Sequence, residues 1–267
     1  DHLMPQTIHI IGAGLAGLAA AVELTAQGRS VVVHEATTAA GGRCRSYHDH
    51  AIGMVIDNGN HLLLSGNRSA LSYLHAIGAD HRLVGPQHPE FRFVDLANHQ
   101  EWMLRFNDGR LPWWIFDARR RVPDTRAIDY LPFVRLLWAA RNKTVGELVA
   151  CSGKVYERLL QPLLLAALNI DPPAGSAALA GAVLRETIAA GGQACRPLIA
   201  REGLGSTLVE PALALLERRN APVRLGHQLH AIRHSENRIT ALDFGKDSVS
   251  LAPDDIVILA VPPYTAA

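Results

Sequence analysis

The hydrophobic pattern near the start of the chain changes period twice within thirty residues. "IHII" (8–11) is a short apolar run that stops at a glycine cluster. In "LAGLAAAVELTAQG" the apolar positions Leu15, Leu18, Val22 and Leu24 then fall at helical spacing, the alanines favour helix, and Gly28 suits its end. "SVVVHE" (30–35) is β-branched and unbroken, as in a strand buried on both faces and parallel to the first. Strand, helix and strand make one βαβ unit.

The texture shifts from about Leu71. "LSYLHAIGA" predicts a helix, while "EFRFVD" and "EWMLRF" alternate as half-buried strands, with "NDGR" turning out of the second. A helix-rich stretch is expected from Asp129 to Ala190, broken by "DPPAGS". Within it, "LLQPLLLAALNI" (159–170) is too short for a membrane span and predicts a buried helix. After "CRPL" come a helix in "STLVEPALALLERR", a short strand in "PVRLG", two strands around a polar turn in "QLHAIRHSENRITALDF", and a final buried strand in "DIVILAVPP". The expected architecture is α/β: a Rossmann-like nucleotide-binding domain built from both ends, residues 1–72 and 197–267, with an α+β domain, 73–196, inserted between them.

Composition leaves this picture unchanged. Of 267 residues 48% are hydrophobic and 19% charged, and the net charge of +1 gives no field that would draw the chain to nucleic acid. Cys44, Cys151 and Cys195 are few, distant and odd in number, which suggests reduced thiols rather than a disulfide frame or zinc site. The histidines are scattered, and "HDH" (48–50) has no ligand partner, so no metal is expected. No secretory signal precedes the first strand, which points to the cytoplasm.

The chemistry concentrates in the first sixty residues. Gly12-Ala13-Gly14-Leu15-Ala16-Gly17 joins the first strand to the helix in the setting a dinucleotide fingerprint requires. Gly12 permits the tight turn, Gly14 lets a pyrophosphate approach the backbone, and Gly17 lets helix and strand pack closely. The helix N-terminus offers free N–H groups and a positive dipole end to the phosphates. Glu35, followed by Ala36, ends the second strand, where a carboxylate accepts hydrogen bonds from ribose hydroxyls and repels a 2′-phosphate. These features alone leave NAD and FAD open. Gly41-Gly42-Arg43 could turn amides and a guanidinium fork toward the same pyrophosphate, or be an ordinary surface turn.

"IIGAGLAGLAAAVELTAQGRSVVVHEATTAAGGRCRS" resembles the start of the GG-doublet flavoproteins (GR2 or amine oxidase type), a superfamily with amine oxidases, carotenoid desaturases and protoporphyrinogen oxidases. The resemblance implies FAD, with Gly41, Gly42 and Arg43 at its pyrophosphate. It also implies Gly59, Asn60 and His61 beside the isoalloxazine, from "IDNGNHLLL", and Leu229 at the adenine, from "VRLGHQLHAI". "DNGNHLLLSGNRSALSYLHAIGA", "TVGELV", "QPLLLAALNIDPPAGSAALAGAVLRET" and "LVEPALALLERRNAPVRLG" are similar to squalene-associated FAD-dependent desaturases, the hydroxysqualene dehydroxylases.

That resemblance implies replacement of the hydroxyl of hydroxysqualene by hydrogen in squalene and hopanoid synthesis, alongside squalene-synthase-like partners. His61 is the candidate to protonate the leaving hydroxyl, and Asp57 is read as ordering the local turn. A polyisoprenoid substrate calls for an apolar lining and delivery from a membrane. "LPWWIFDARRR" sets Trp113, Trp114, Ile115 and Phe116 beside Arg119–Arg121, which suits a peripheral contact at the inner face of a membrane or a buried core strand with a basic flank. Relatives continue beyond "VILAVPPYTAA" into a further FAD segment, so a missing C-terminal part is expected. Two other readings stay open: an amine oxidase-like or carotenoid desaturase-like enzyme, and a non-catalytic isoprenoid-binding protein or inactive fragment of the same fold.

Overall fold

The computed structural model describes residues 6–59 and 61–266. They form two compact units. One joins the chain up to 61 with 70–84 and everything from 200 onward; the other comprises 62–69 and 85–199.

The first unit is organised by β1 (Thr7–Ile11), α1 (Leu15–Ala26) and β2 (Ser30–His34). The sheet order is Val223–Arg224, β2, β1, Ile256–Leu259, with every pairing parallel. Ile8, Ile10, Val31 and Val33 are fully shielded, as the unbroken apolar runs require. On α1, Leu18, Ala21 and Val22 face inward, and the helix packs on β2 and on the helix Glu210–Arg218. Its C-terminal end is held by Arg219, whose Nη1 donates to the Val22 carbonyl at 2.8 Å and to Thr25 Oγ1 at 2.9 Å. A cation there also suits the negative end of the helix dipole. β3 (Ser46–Asp49) and β4 (Met54–Asp57) make an antiparallel hairpin. Ala231–Ser235, Arg238–Asp243 and Ser248–Ser250 form an antiparallel sheet beside the apolar cluster Ile11, Leu242, Phe244 and Leu251.

The last strand of the parallel sheet is not the buried strand its apolar run predicts. Ile256–Leu259 is a parallel strand, but Ile256 and Leu259 are 40% and 44% exposed. A parallel strand is buried only when a neighbour and a covering layer flank it, and among the described residues it pairs with β1 alone.

In the second unit, Glu90–Asp95 and Gln100–Arg105 pair antiparallel over their whole length. Phe93 stacks on Trp102 with planes 5° apart, and the Arg158 guanidinium lies over the same indole. The region expected to be helix-rich is more broken than its apolar spacing suggests. Ala127–Trp138 is a 3₁₀ stretch containing Pro132, which has no amide to donate. Val145–Leu148 is a single turn whose Thr144 and Glu147 cap each other. Tyr156–Leu160 widens into a π turn that runs directly into Gln161–Leu168, and Pro162, which has no amide to donate, sits just past the widening. That helix is buried on one face only: Leu164 is sealed while Leu165 is half exposed. Trp113–Phe116 is a 3₁₀ turn rather than a core strand, because Asn107 closes it on itself. Its Oδ1 accepts from Trp114 N, and its Nδ2 donates to the Gly109 and Leu111 carbonyls.

Candidate dinucleotide site

The glycines of the first turn divide by what surrounds them. Gly12 has φ +106°, and a Cβ there would stand 2.7 Å from the Ala260 carbonyl oxygen. A Cβ on Gly17 would be 1.9 Å from the Gly12 carbonyl oxygen. Both positions are closed by the protein's own backbone. Gly14, at the N-cap of α1 with an extended backbone, meets nothing within 4 Å. No internal packing demands glycine there. The open space lies in front of first-turn amides that have no helical partner, which is where an anion is held.

The doublet docks on this turn. Gly41 N donates to the Ala13 carbonyl at 2.7 Å, and Gly14 and Gly41 form a parallel bridge. Gly41 and Gly42 have φ +105° and +54°, a succession of left-handed conformations that L side chains rarely adopt. A Cβ on Gly42 would come 3.4 Å from Gly14 Cα, so the two glycine segments run side by side. Arg43 is exposed and, among the described residues, has no hydrogen-bond or ion-pair partner. Burial pushes the Cys44 thiol up, against the pull of the Arg43 guanidinium, so the thiol stays protonated.

Glu35 holds the third corner. Its Oε2 accepts from Ala13 N at 2.8 Å; its Oε1 accepts from Thr37 N at 2.9 Å and Thr37 Oγ1 at 2.8 Å. Ala36 is exposed beside it. One carboxylate thus ties the glycine turn to the end of β2. Ala13 is sealed, while Leu15 is half-buried and Ala16 exposed at the start of α1.

Two supporting features have no motif in the sequence. Ser46 Oγ donates to Asp57 Oδ1 at 2.6 Å; the same carboxylate oxygen accepts Leu204 N at 2.8 Å, and Ser46 Oγ accepts Gly205 N at 2.8 Å. Asp57 therefore orders the 203–205 turn, one turn before Val209 presses on Gly41. An Asp57→Ala change leaves Leu204 N and the Ser46 hydroxyl hydrogen without their acceptor, while Ser46 Oγ still accepts from Gly205 N; the expected result is a loss of about 2 kcal/mol in urea unfolding. The signal available was a Gly-x-Gly pair, Gly203 and Gly205, just ahead of the helical pattern that begins at Ser206. The second feature is a row of histidines, His9, His34 and His227, in contact through their ring nitrogens.

His61 is exposed, with its Nε2 3.8 Å from where a Cβ on Gly59 would be, and Gly59 is half-buried. Asn60 lies outside the described residues. Leu229 is half-buried and packs against the cluster of Leu242, Phe244 and Leu251. A depression of mixed lining, in which Pro89 and Phe106 stand among His88, Glu90, Arg105 and Arg120, lies wholly in the second unit.

The residues present fit FAD at its dinucleotide end: an open Gly14 at a helix N-terminus, left-handed glycines alongside, an unpaired arginine and an anchored carboxylate. The chain is 57% identical over 265 residues to a hydroxysqualene dehydroxylase of Rhodopseudomonas palustris and 56% identical over 264 to one of Sinorhizobium fredii. Each alignment covers 99% of this chain and 63% of the relative, so the chain spans less than two thirds of the curated relatives it matches. Among solved structures, the cyclohexylamine oxidase of Brevibacterium oxydans superposes with a TM-score of 0.64 over 98% of this chain and 59% of that one; at 20% identity this shows the fold. The flavin containing amine oxidoreductase family matches residues 15–267. The chain therefore belongs to the flavin containing amine oxidoreductases, with an α/β Rossmann-like fold and FAD as its cofactor.

Proposed function

We propose that the complete protein is an FAD-dependent oxidoreductase of polyisoprenoids that converts hydroxysqualene to squalene. The observation that carries this is agreement with proteins named hydroxysqualene dehydroxylase along 99% of the chain, through the second unit as well as the cofactor turn. The reaction removes an allylic hydroxyl as water and sets hydrogen in its place, so it consumes one hydride and one proton. Reduced FAD supplies the hydride chemistry. Gly14, the doublet and Arg43 would hold the pyrophosphate, and Glu35 the ribose. His61, whose exposed imidazole lies beside Gly59, is the residue assigned to give the proton to the leaving hydroxyl. In a His61→Gln protein with full FAD occupancy, kcat falls by roughly 100-fold; unchanged turnover removes His61 from the reaction.

Incubation of the FAD-loaded protein with a reductant and hydroxysqualene, followed by product analysis, tests the activity. Squalene is expected. Hydrogen peroxide formed with amines points instead to an amine oxidase, and protein that refuses FAD and stays colourless points to a non-catalytic isoprenoid-binding protein.

An apolar substrate also calls for contact with its lipid source. Among the described residues no helix is long and apolar enough to cross a membrane. Trp113 and Phe116 are each 64% exposed with ring centroids 6.1 Å apart, Leu111 is equally exposed, and the exposed Arg119 nearby pairs with Asp117. Trp114 and Ile115 anchor the turn in the core. Aromatic tips on a fixed turn with flanking arginines suit the inner, anionic face of a membrane. A Trp113→Ser, Phe116→Ser protein should lose at least about tenfold in co-sedimentation with vesicles of anionic phospholipid; undiminished binding sinks the contact. Squalene-synthase-like enzymes are the partners this pathway position implies.

A further inference from the structure

Behind Glu35 runs a row of three histidines from three different segments. His9 on β1 and His34 on β2 are 6% and 1% exposed. His9 Nδ1 lies 3.1 Å from His34 Nε2, and His34 Nδ1 lies 2.8 Å from His227 Nδ1. His227 Nε2 lies 3.1 and 3.2 Å from the two carboxylate oxygens of Asp247. Phe244 stacks against both His34 and His227. The backbone of the row is the backbone of the cofactor site: Gly12 N donates to the His34 carbonyl at 2.7 Å, and His227 N donates to the Glu35 carbonyl at 2.8 Å.

The protons can be assigned by counting. Ionised Asp247 only accepts, so His227 Nε2 carries hydrogen. A neutral His227 then accepts at Nδ1, His34 donates from Nδ1 and accepts at Nε2, and His9 donates from Nδ1. Every contact is satisfied by three neutral rings in one tautomeric order. Each N···N contact holds one proton, and the outer nitrogens, His9 Nε2 and His227 Nε2, hold one each. The ceiling is thus four protons on six ring nitrogens, a single positive charge. A fifth proton must set two N–H groups face to face.

We propose that His9, His34 and His227 form a proton-limited column that positions Glu35 for the FAD ribose and lets the cofactor go when acid forces a second charge onto it. This rests on the FAD reading of the site. His34 is the positioning residue at its centre. The charged groups facing the column are Asp247 at the outer end, Asp255 toward His9, and Arg224 toward both buried rings. Burial, then His9, His227 and Arg224, hold the His34 imidazole down to about 3, and burial lowers His9 despite Asp255. These depressed values fix the sign. The column's contribution is complete above the ordinary histidine range and is lost as pH falls through it, because three freed histidines bind six protons where the ordered column binds four. Two extra protons correspond to about a hundredfold loss of the ordered state per pH unit.

The test is FAD affinity against pH, read by flavin fluorescence on the purified protein and on a His34→Leu variant. The parent should bind evenly from about pH 8 to 6.5 and then weaken by about tenfold or more per unit below. His34→Leu should bind severalfold more weakly at pH 8 and lack the steep limb. The same steep limb in both proteins overturns the proposal. A second measurement needs no variant. The ¹⁵N spectra of the imidazoles at neutral pH should show Nδ1-protonated His9 and His34 and Nε2-protonated His227. An Nε2-protonated His34, or rings that average between tautomers, overturns the column. Protein that takes up no FAD at any pH sinks the FAD reading and with it the coupling, while the spectra still decide whether the column exists.

Discussion

Gly14→Ala and Gly17→Ala, three residues apart in one turn, should fail in opposite ways. At Gly17 the new methyl would sit 1.9 Å from the Gly12 carbonyl oxygen and 3.0 Å from its carbon, both backbone atoms. No side chain can swing aside, so α1 must lift off β1, and the cost exceeds the roughly 1–3 kcal/mol usual for overpacking. Urea unfolding of the apoprotein should show a loss of at least about 3 kcal/mol. At Gly14 the backbone is extended, with φ −71° and ψ 178°, and nothing lies within 4 Å of the added methyl. The apoprotein should unfold within about 0.5 kcal/mol of the parent. The methyl instead occupies the space an anion needs against the first-turn amides, so FAD affinity should fall by about 100-fold. A stable Gly14→Ala protein that binds FAD normally means the pyrophosphate does not cross this turn.

The same contrast explains what the sequence could disclose. Elements whose pattern is set by their own burial were readable: β1, α1 and β2 lie where the unbroken apolar runs and helical spacing put them, and the hairpin of Glu90–Asp95 and Gln100–Arg105 follows its alternation. Ala127–Trp138 was not, because its apolar spacing is helical while Pro132 removes a donor and tightens the turn. In the site, Gly12, Gly14, Gly17 and Glu35 could be named because their chemistry requires a fixed order along the chain. Asp57 suggests only an ordered local turn, and Ser46 and Gly205 could not be named, since the hydrogen bonds from Leu204 and Gly205 to Asp57 and Ser46 span about 150 residues by the fold alone. The histidine column is the extreme case. His9, His34 and His227 are ordinary residues until two parallel strands and the loop after Arg224 bring them into line. Thirteen scattered histidines carry no pattern that would pick out these three.

Replacing Glu35 by glutamine should weaken FAD binding by about 100-fold while keeping the fold, and the reason is a count of acceptors. The carboxylate spends one oxygen on Ala13 N and the other on Thr37 N and Oγ1. Glutamine has one acceptor oxygen and an NH₂ that only donates. The Thr37 hydroxyl can turn to the Ala39 carbonyl, 2.8 Å away, and drops out of the problem. Ala13 N and Thr37 N cannot. Whichever way the amide is flipped, its NH₂ faces one of these two N–H groups, at a cost of about 1–3 kcal/mol for the unpaired donor. The ribose hydroxyls meanwhile lose a charged acceptor for a neutral one, worth about another 1 kcal/mol. Both losses fall on the glycine turn: Ala13 N is freed next to Gly14, and the same residue's carbonyl holds Gly41. The measurement is FAD affinity by fluorescence at pH 8, with urea unfolding of the apoprotein beside it. Affinity within threefold of the parent would mean that the carboxylate is only a strut of the turn and that the ribose is bound elsewhere.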